Sequence, residues 1–279
     1  MSTVQGDTAK AGVPIEFIGV AKTFGEDEDE PFLALKEFNA DIAAGEFVSV
    51  VGPSGCGKST LMLMVAGLLS RSRGDILVGG KLVSTPITDV GIAFQDHLLL
   101  EFRNALQNVT LQADIRGLPK KQIEARAREL FAQLRLTHAI GKYPRQLSGG
   151  MRQRVSLIST LVHDPSVLLM DEPFGALDAL TRLQVRMDLE SLWLRRRPTV
   201  LFITHSVEEA VGLSDRILVM SPSPGEVVDE IKVDLPRPRP TLLGDAPEFG
   251  AYVDRIHRHF ERMGVLHGVD PGRAPEDLQ

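Results

Sequence analysis

The chain has 279 residues, 43% of them hydrophobic and 24% charged, with a formal net charge of −6. This is enough to bury a sizeable core and excludes a disordered chain. Mean hydropathy near zero, with no apolar run approaching the roughly 20 residues of a bilayer span, excludes a membrane-embedded chain, and a pI of about 5.7 argues against wholesale binding of a nucleic-acid backbone.

The polar opening, Met1 to Lys10, lacks the charged-then-apolar order of a secretory signal, and the single Cys56 leaves no internal disulfide. A cytosolic home is expected. The first strand is predicted at Ile15 to Val20, and the acidic run Glu26 to Glu30 reads as a solvated loop. Phe47 to Val51 is a second strand, bounded by Gly45 and Gly52, and the breaker-poor segment Leu61 to Leu69 reads as a buried helix. From about residue 96 to about 164 the texture becomes helical, most clearly in Lys120 to Leu136, where Ile123, Ala127, Leu130, Phe131 and Leu134 recur at helical spacing. Strand character returns at Val167 to Met170, Thr199 to Ile203 and Arg216 to Met220. Short apolar strands alternating with helices predict an α/β fold with a mainly parallel sheet covered on both faces.

The run Leu235-Pro-Arg-Pro-Arg-Pro240 cannot be regular helix or inner strand, and so marks a boundary before a tail of residues 241–279. In that tail Phe249, Val253, Ile256, Phe260 and Met263 form one apolar stripe of a helix. The stripe either docks on its own domain or contacts a partner.

Between the second strand and its helix lies Gly52-Pro53-Ser54-Gly55-Cys56-Gly57-Lys58-Ser59-Thr60, which fits the phosphate-loop pattern. Glycines let several backbone N–H groups face the phosphates, and the helix N-terminus adds its positive partial charge. Lys58 is expected on the β- and γ-phosphates and the Ser59 hydroxyl on Mg²⁺. Such a site needs an acidic residue at the end of a neighbouring buried strand, and Val167-Leu168-Leu169-Met170-Asp171-Glu172 supplies it. Asp171 is the metal candidate. Glu172 points to the other side if the strand continues, which suits it to polarise an attacking water. Cys56 reads as a small filler, with redox sensitivity as a second reading.

Leu147-Ser148-Gly149-Gly150-Met151-Arg152-Gln153-Arg154 resembles the signature motif of ATP-binding-cassette (ABC) ATPases. Gln95 resembles that family's Q-loop glutamine, Gly175-Ala176-Leu177-Asp178 its D-loop, His205 its switch histidine and Phe24 the aromatic that stacks on adenine. Met151 stands where the commonest form has glutamine, and Gly175 where serine is more usual. The resemblance spans about Ile15 to Pro240. It implies one ABC ATPase domain over residues 13–240, a phosphate-loop NTPase core (RecA-like) with an antiparallel β part near the N-terminus and a helical signature subdomain at about 96–164.

The resemblance implies further roles. Ser148, Gly149 and Gly150 at a helix start suit the γ-phosphate of ATP held by a second subunit, so the implied assembly is a head-to-tail homodimer. Asp178 joins the nucleotide site, Gln95 the Mg²⁺ and water shell, and Glu172 and His205 the hydrolytic step. One phosphate loop with one signature, 90 residues from Lys58 to Ser148, disfavours ribosome-acting and DNA-acting relatives. The implied function is therefore the ATPase of a transporter with separate permease chains at the cytoplasmic face of a membrane; a soluble motor, or the ATPase of an exporter, is the alternative. Ser206 to Ala210, Pro222-Ser-Pro-Gly225 and the proline-arginine ending resemble the nitrate/sulfonate/taurine importers, which also use an extracytoplasmic binding protein. Where that group has a Leu-Pro-Trp-Arg-like run, this chain reads Leu99-Leu100-Glu101-Phe102-Arg103.

Overall fold

The computed structural model describes residues 12–175, 177–239 and 247–266. The opening Met1 to Lys10, Ala176 and Pro240 lie outside these, as do the outer parts of the tail.

A fully buried five-residue strand, β3 (Phe47–Val51), forms the centre of a six-stranded sheet. Naming its other members in chain order gives β6 (Val90–Ala93), β7 (Val167–Asp171), β8 (Thr199–Ile203), β9 (Arg216–Met220) and β10 (Val227–Lys232). Their spatial order is β10-β9-β3-β8-β7-β6, parallel throughout except for the antiparallel edge strand β10. The inner strands are predominantly apolar, with Ser49 the one polar residue inside β3, because helices cover both faces. β10 instead mixes Val227, Val228 and Ile231 with Asp229, Glu230 and Lys232, and its residues alternate between less and more exposed, as an edge strand with one covered face does.

A second, antiparallel sheet has the order β2-β1-β4-β5, from β1 (Ile15–Phe24), β2 (Phe32–Ile42), β4 (Arg73–Val78) and β5 (Lys81–Leu82). Its inner face carries Ile15, Phe17, Val20, Leu35, Phe38 and Ile42. These pack on Leu61, Met62 and Val65 of α1 (Lys58–Val65) and on the central sheet, in one continuous core. β1 runs four residues beyond the predicted Val20 because register shifts at Val20 and Lys22 keep it paired with β2 through Phe24 and Phe32. α1 starts three residues earlier than its apolar run and ends four earlier. Gly67, with φ +71°, turns the chain there, and a Cβ would meet the Thr85 carbonyl oxygen at 2.2 Å.

The helical stretch contains α2 (Ala105–Arg116), α3 (Lys120–Gln133) and α4 (Gly149–Leu161), packed around a core of their own that includes Val109, Ala127, Phe131, Val155 and Ile158. The predicted stripe of α3 is its buried face; the helix stops before Leu136 because Arg135 takes a left-handed conformation, φ +57°. α5 (Ala179–Arg196) and α6 (Val207–Leu213) follow β7 and β8. The tail stripe belongs to α7 (Pro247–Arg262), which buries Phe249, Ile256 and Phe260 against Val207, Val211, Ile217 and Ile231 of the same chain. Docking on its own domain is therefore the observed use.

The order of the central sheet positions the site. It sets the C-terminal ends of β3, β8 and β7 side by side, so the segments after Val51, Ile203 and Asp171 gather at one edge.

Candidate active site

After β3 the chain enters the glycine loop, which closes at Gly57 with φ +94°. Only glycine suits this position, since a Cβ would lie 2.8 Å from Leu35 Cδ2 and 3.0 Å from the Ala34 carbonyl oxygen as well as requiring a left-handed backbone. No side chain caps α1, so its first-turn N–H groups are left for an anion. The buried Lys58 ammonium donates to the carbonyl oxygens of Gly52 (2.9 Å) and Pro53 (2.8 Å), which moors it inside the loop.

A cavity of about 260 Å³ opens over this loop, lined by Phe24, Phe32, Ala34, Ser54, Gly55, Gly57, Lys58, Ser59, Thr60 and Glu172. A wider cavity of about 830 Å³ on the antiparallel sheet, lined among others by Thr23, Lys36 and Arg73, contains none of the loop residues. Chemistry converges on the smaller one. Cys56 does not line it: the thiol is fully buried behind the loop, where burial pushes its pKa up against the opposing Lys58 charge. Gly52 is packed against that sulfur.

Asp171 ends β7 half-buried, and burial raises its carboxyl above the ordinary range while a hydrogen bond from Ser59 and the Lys58 charge oppose the shift. A hydroxyl and a carboxylate in contact make a hard-oxygen donor pair of the kind that suits Mg²⁺. Among the described residues no cluster of three or more His, Cys, Asp or Glu could hold a metal alone. The pair thus fits a cation that keeps waters and takes phosphate oxygens as its remaining ligands.

The strand does not continue into Glu172. That residue sits at φ +44°, its N–H bound to the Ile203 carbonyl oxygen at 2.8 Å. Its separation from Asp171 therefore comes from a left-handed turn rather than from strand alternation, at a cost of order 1–3 kcal/mol for a non-glycine residue. The turn brings Glu172 Oε2 to 3.0 Å from His205 Nδ1. Thr204, just before that histidine, reaches the Val50 carbonyl oxygen at 3.4 Å, so all three loops are stitched together by backbone. The Gln95 amide lies at the same turn, 3.7 Å from where a Cβ on Gly175 would sit.

Phe24 is 39% exposed at the mouth, with the Lys22 ammonium 5.0 Å from its ring centroid. Sequence reading missed Phe32, which pairs with Phe24 across β1 and β2 and lines the same cavity. Its signal was an aromatic residue one proline beyond the acidic run.

Ser148, Gly149, Gly150 and Asp178 do not line the Lys58 cavity. Ser148 caps α4, its exposed hydroxyl accepting from Met151 N–H, and Asp178 caps α5 through Thr181 N–H. The two caps are neighbours, because a Cβ on Gly150 would lie 2.3 Å from Thr181 Cγ2. One chain thus presents a loop-and-base half and a separate half with a solvent-exposed, Ser148-capped helix start.

Residues 35–175 match the family model described as ABC transporter. The chain belongs to the ABC transporter family. It is an ATP-binding and ATP-hydrolysing member. An aliphatic sulfonates import ATP-binding protein from Pseudomonas aeruginosa is 42% identical over 82% of this chain and 79% of its own. A taurine import ATP-binding protein from Rhizobium johnstonii is also 42% identical, over 86% of this chain and 92% of its own. Among solved structures, the dimeric ABC transporter cassette MJ0796 matches with a TM-score of 0.69 and 31% identity, covering 78% of this chain and 98% of that one. The same cassette is also known in a dimeric post-hydrolysis state bound to ADP and phosphate. This ABC chain shares the phosphate-loop NTPase fold of that cassette. Among the described residues it has no helix long and apolar enough to cross a membrane.

Proposed function

We propose that this ABC ATPase works as a homodimer bound to separate permease chains at the cytoplasmic face of a membrane, driving import of a small oxyanion-bearing solute such as nitrate, an alkanesulfonate or taurine. An extracytoplasmic binding protein selects the solute and meets the ATPase only through the permease. The observation that carries the reading is the division of the site: Ser148, Gly149 and Gly150 do not line the cavity over the Lys58 loop, so a γ-phosphate held there would take its signature-motif partner from a second copy. Support for import and for the solute class comes from the names of the sulfonate and taurine relatives. Support for a permease contact comes from Leu98 and Phe102, 72% and 75% exposed on the surface between β6 and α2.

In this reading Phe24 and Phe32 hold the adenine, and Lys58 with the first-turn N–H groups of α1 holds the β- and γ-phosphates. Ser59 and Asp171 hold Mg²⁺, which when bound neutralises charge on the phosphates. Glu172 accepts the proton of the attacking water while His205 Nδ1 fixes the orientation of its carboxylate, and Gln95 reports on the same turn. Ser148 and the Gly149 and Gly150 amides complete the partner's site. The homodimer, the 13–240 domain and the 241–279 tail are one working unit. The test is reconstitution in liposomes with permease and binding-protein chains of the sulfonate or taurine import type. ATP turnover is expected to rise several-fold with taurine, an alkanesulfonate or nitrate outside; no response to any of the three, with a response to another solute, rejects the solute class.

A further inference from the structure

The first turn of α5 touches more of the machinery than its position suggests. Thr181 lies against Gly150 at the start of the signature helix, and Asp178 caps α5 just after the Leu177 turn. Arg182 donates from one Nη to the Leu177 carbonyl oxygen at 3.1 Å. Its Nε, buried and without a hydrogen-bond partner among the described residues, faces Glu209 Oε1 at 3.6 Å. Glu209 is itself buried and accepts a 2.6 Å hydrogen bond from the Thr204 hydroxyl, adjacent to His205 in the chain. That hydroxyl accepts from Ser206 N–H, and Ser206 Oγ accepts from Glu209 N–H, so both flanks of His205 are tied to Glu209. One arginine therefore joins the turn beside the signature face to the segment that carries the switch histidine.

We propose that Arg182 is a positioning residue for ATP hydrolysis, acting through Glu209 and Thr204 to hold His205 in register with the Leu177–Asp178 turn. This rests on the reading of the site as a hydrolytic centre completed by a second copy. Its physical content is that Nε and Glu209 stand near enough to attract and too far apart to be hydrogen-bonded. A small movement of the Leu177 turn toward α6 closes that bond, and a movement away opens it. Because the turn shares its surface with Gly150 and Ser148, engagement of the partner's ATP by that surface reaches His205 of the same chain through the Arg182–Glu209 pair. The first ATP site is thereby told that the second is filled. Glu209 is the right group for this: burial raises its pKa while the Thr204 hydrogen bond and Arg182 oppose that rise, so removing Arg182 removes support for the charged form.

The experiment uses the full chain and compares Arg182→Ala, Arg182→Lys, Glu209→Gln and the Arg182→Ala/Glu209→Gln double variant, with Lys58→Ala as a control. Steady-state ATPase rates and thermal midpoints are measured for each. Arg182→Ala is expected to lower kcat about tenfold with KM for ATP within about twofold of the wild type, the pattern of a group that acts after binding. Arg182→Lys restores only part of the loss, since an ammonium cannot span Leu177 and Glu209 together. The double variant is expected to be no slower than Arg182→Ala, as two members of one link should be. Unchanged kcat in Arg182→Ala, a double-variant loss equal to the product of the single losses, or a fall in kcat that merely tracks a lowered thermal midpoint overturns the proposal. If Arg182→Ala does not fold, Arg182→Lys and Glu209→Gln decide it by the same kcat and KM criteria. A failure of the underlying reading looks different: Lys58→Ala then hydrolyses ATP normally.

Discussion

Asp171 carries opposed demands that can be separated by pH. Burial raises its carboxyl pKa in the folded chain, so folding disfavours the charged form. The penalty is complete above the folded pKa and disappears as pH falls below the unfolded value. Asp171→Asn is therefore expected to raise the thermal midpoint of the nucleotide-free protein at pH 7, by an amount that shrinks toward pH 4, while Mg²⁺-dependent ATP binding is lost. Calorimetric scans across that range and a binding titration check both halves, and a lower midpoint at pH 7 refutes the argument. Gly225 makes a different kind of demand. Its N–H and carbonyl join Ala34 O and Lys36 N, and a Cβ would lie 1.9 Å from the Cys56 carbonyl oxygen. The clash is with backbone of the phosphate loop and no rotamer relieves it. Gly225→Ala should weaken ATP binding by about tenfold or more and destabilise the fold by ~1–3 kcal/mol, read by titration calorimetry and urea unfolding. At this scale Gly52 to Thr60, Asp171 and Glu172 were legible because each follows the end of an apolar strand, whereas His205 was legible only through its resemblance to the family's switch histidine. Phe32, Arg182 and Glu209 were not, because their roles depend on strand register and on helices meeting across the fold.

Elements were legible where burial makes a strand uniformly apolar. β3, β8 and β9 have the predicted ends, and β7 extends one residue further. The strands that escaped have physical reasons to do so. β2 is bent by Glu37 at φ +48°, and its inward residues do not alternate strictly. β6 has four residues including Gly91, where a Cβ would lie 2.6 Å from the Thr160 carbonyl oxygen of α4. Gly91 reads as a break in the sequence and serves as a contact in the fold. The proline-arginine run is likewise a structural strap. The Arg237 guanidinium lies 4.4 Å from the Trp193 ring centroid and 2.8 Å from Glu190, and buried Arg239, its pKa lowered to about 10 by burial, donates to the carbonyl oxygens of Val211 and Ser214 at the end of α6. α7 adds a second cover to the same helix. Ile256 is fully buried there, and Ile256→Ala is expected to cost about 2–5 kcal/mol in urea unfolding. ATP affinity should stay within about threefold, since α7 packs on α6, β9 and β10 and contributes nothing to the cavity lining. A large loss of affinity at preserved stability would assign α7 to the site instead.

For the whole molecule, the decisive question is whether the two halves of the site act in one chain or across two. Ser148 and Lys58 belong to different surfaces of the chain, so each is dispensable to the half-site carried by the other. This gives an outcome that no in-chain arrangement reproduces. Lys58→Ala removes the loop cation and Ser148→Arg blocks the helix start, and each homodimer is expected to be inactive. Mixing the two variants creates heterodimers in which one composite site joins an intact Lys58 loop to an intact Ser148 face, while the other site carries both lesions. Random pairing then restores turnover above that of either homodimer, up to about a quarter of the wild-type rate, because half of the dimers are mixed and each keeps one of two sites. The blocked Ser148 face on the chain that carries the surviving loop lowers the rate below that value to the extent that the Arg182 link matters. If the two halves worked within one chain, every site in the mixture would contain a lesion and turnover would stay at the level of the inactive homodimers. The rate measured as a function of mixing ratio, with a maximum near equal amounts, separates these arrangements without reference to any permease or transported solute.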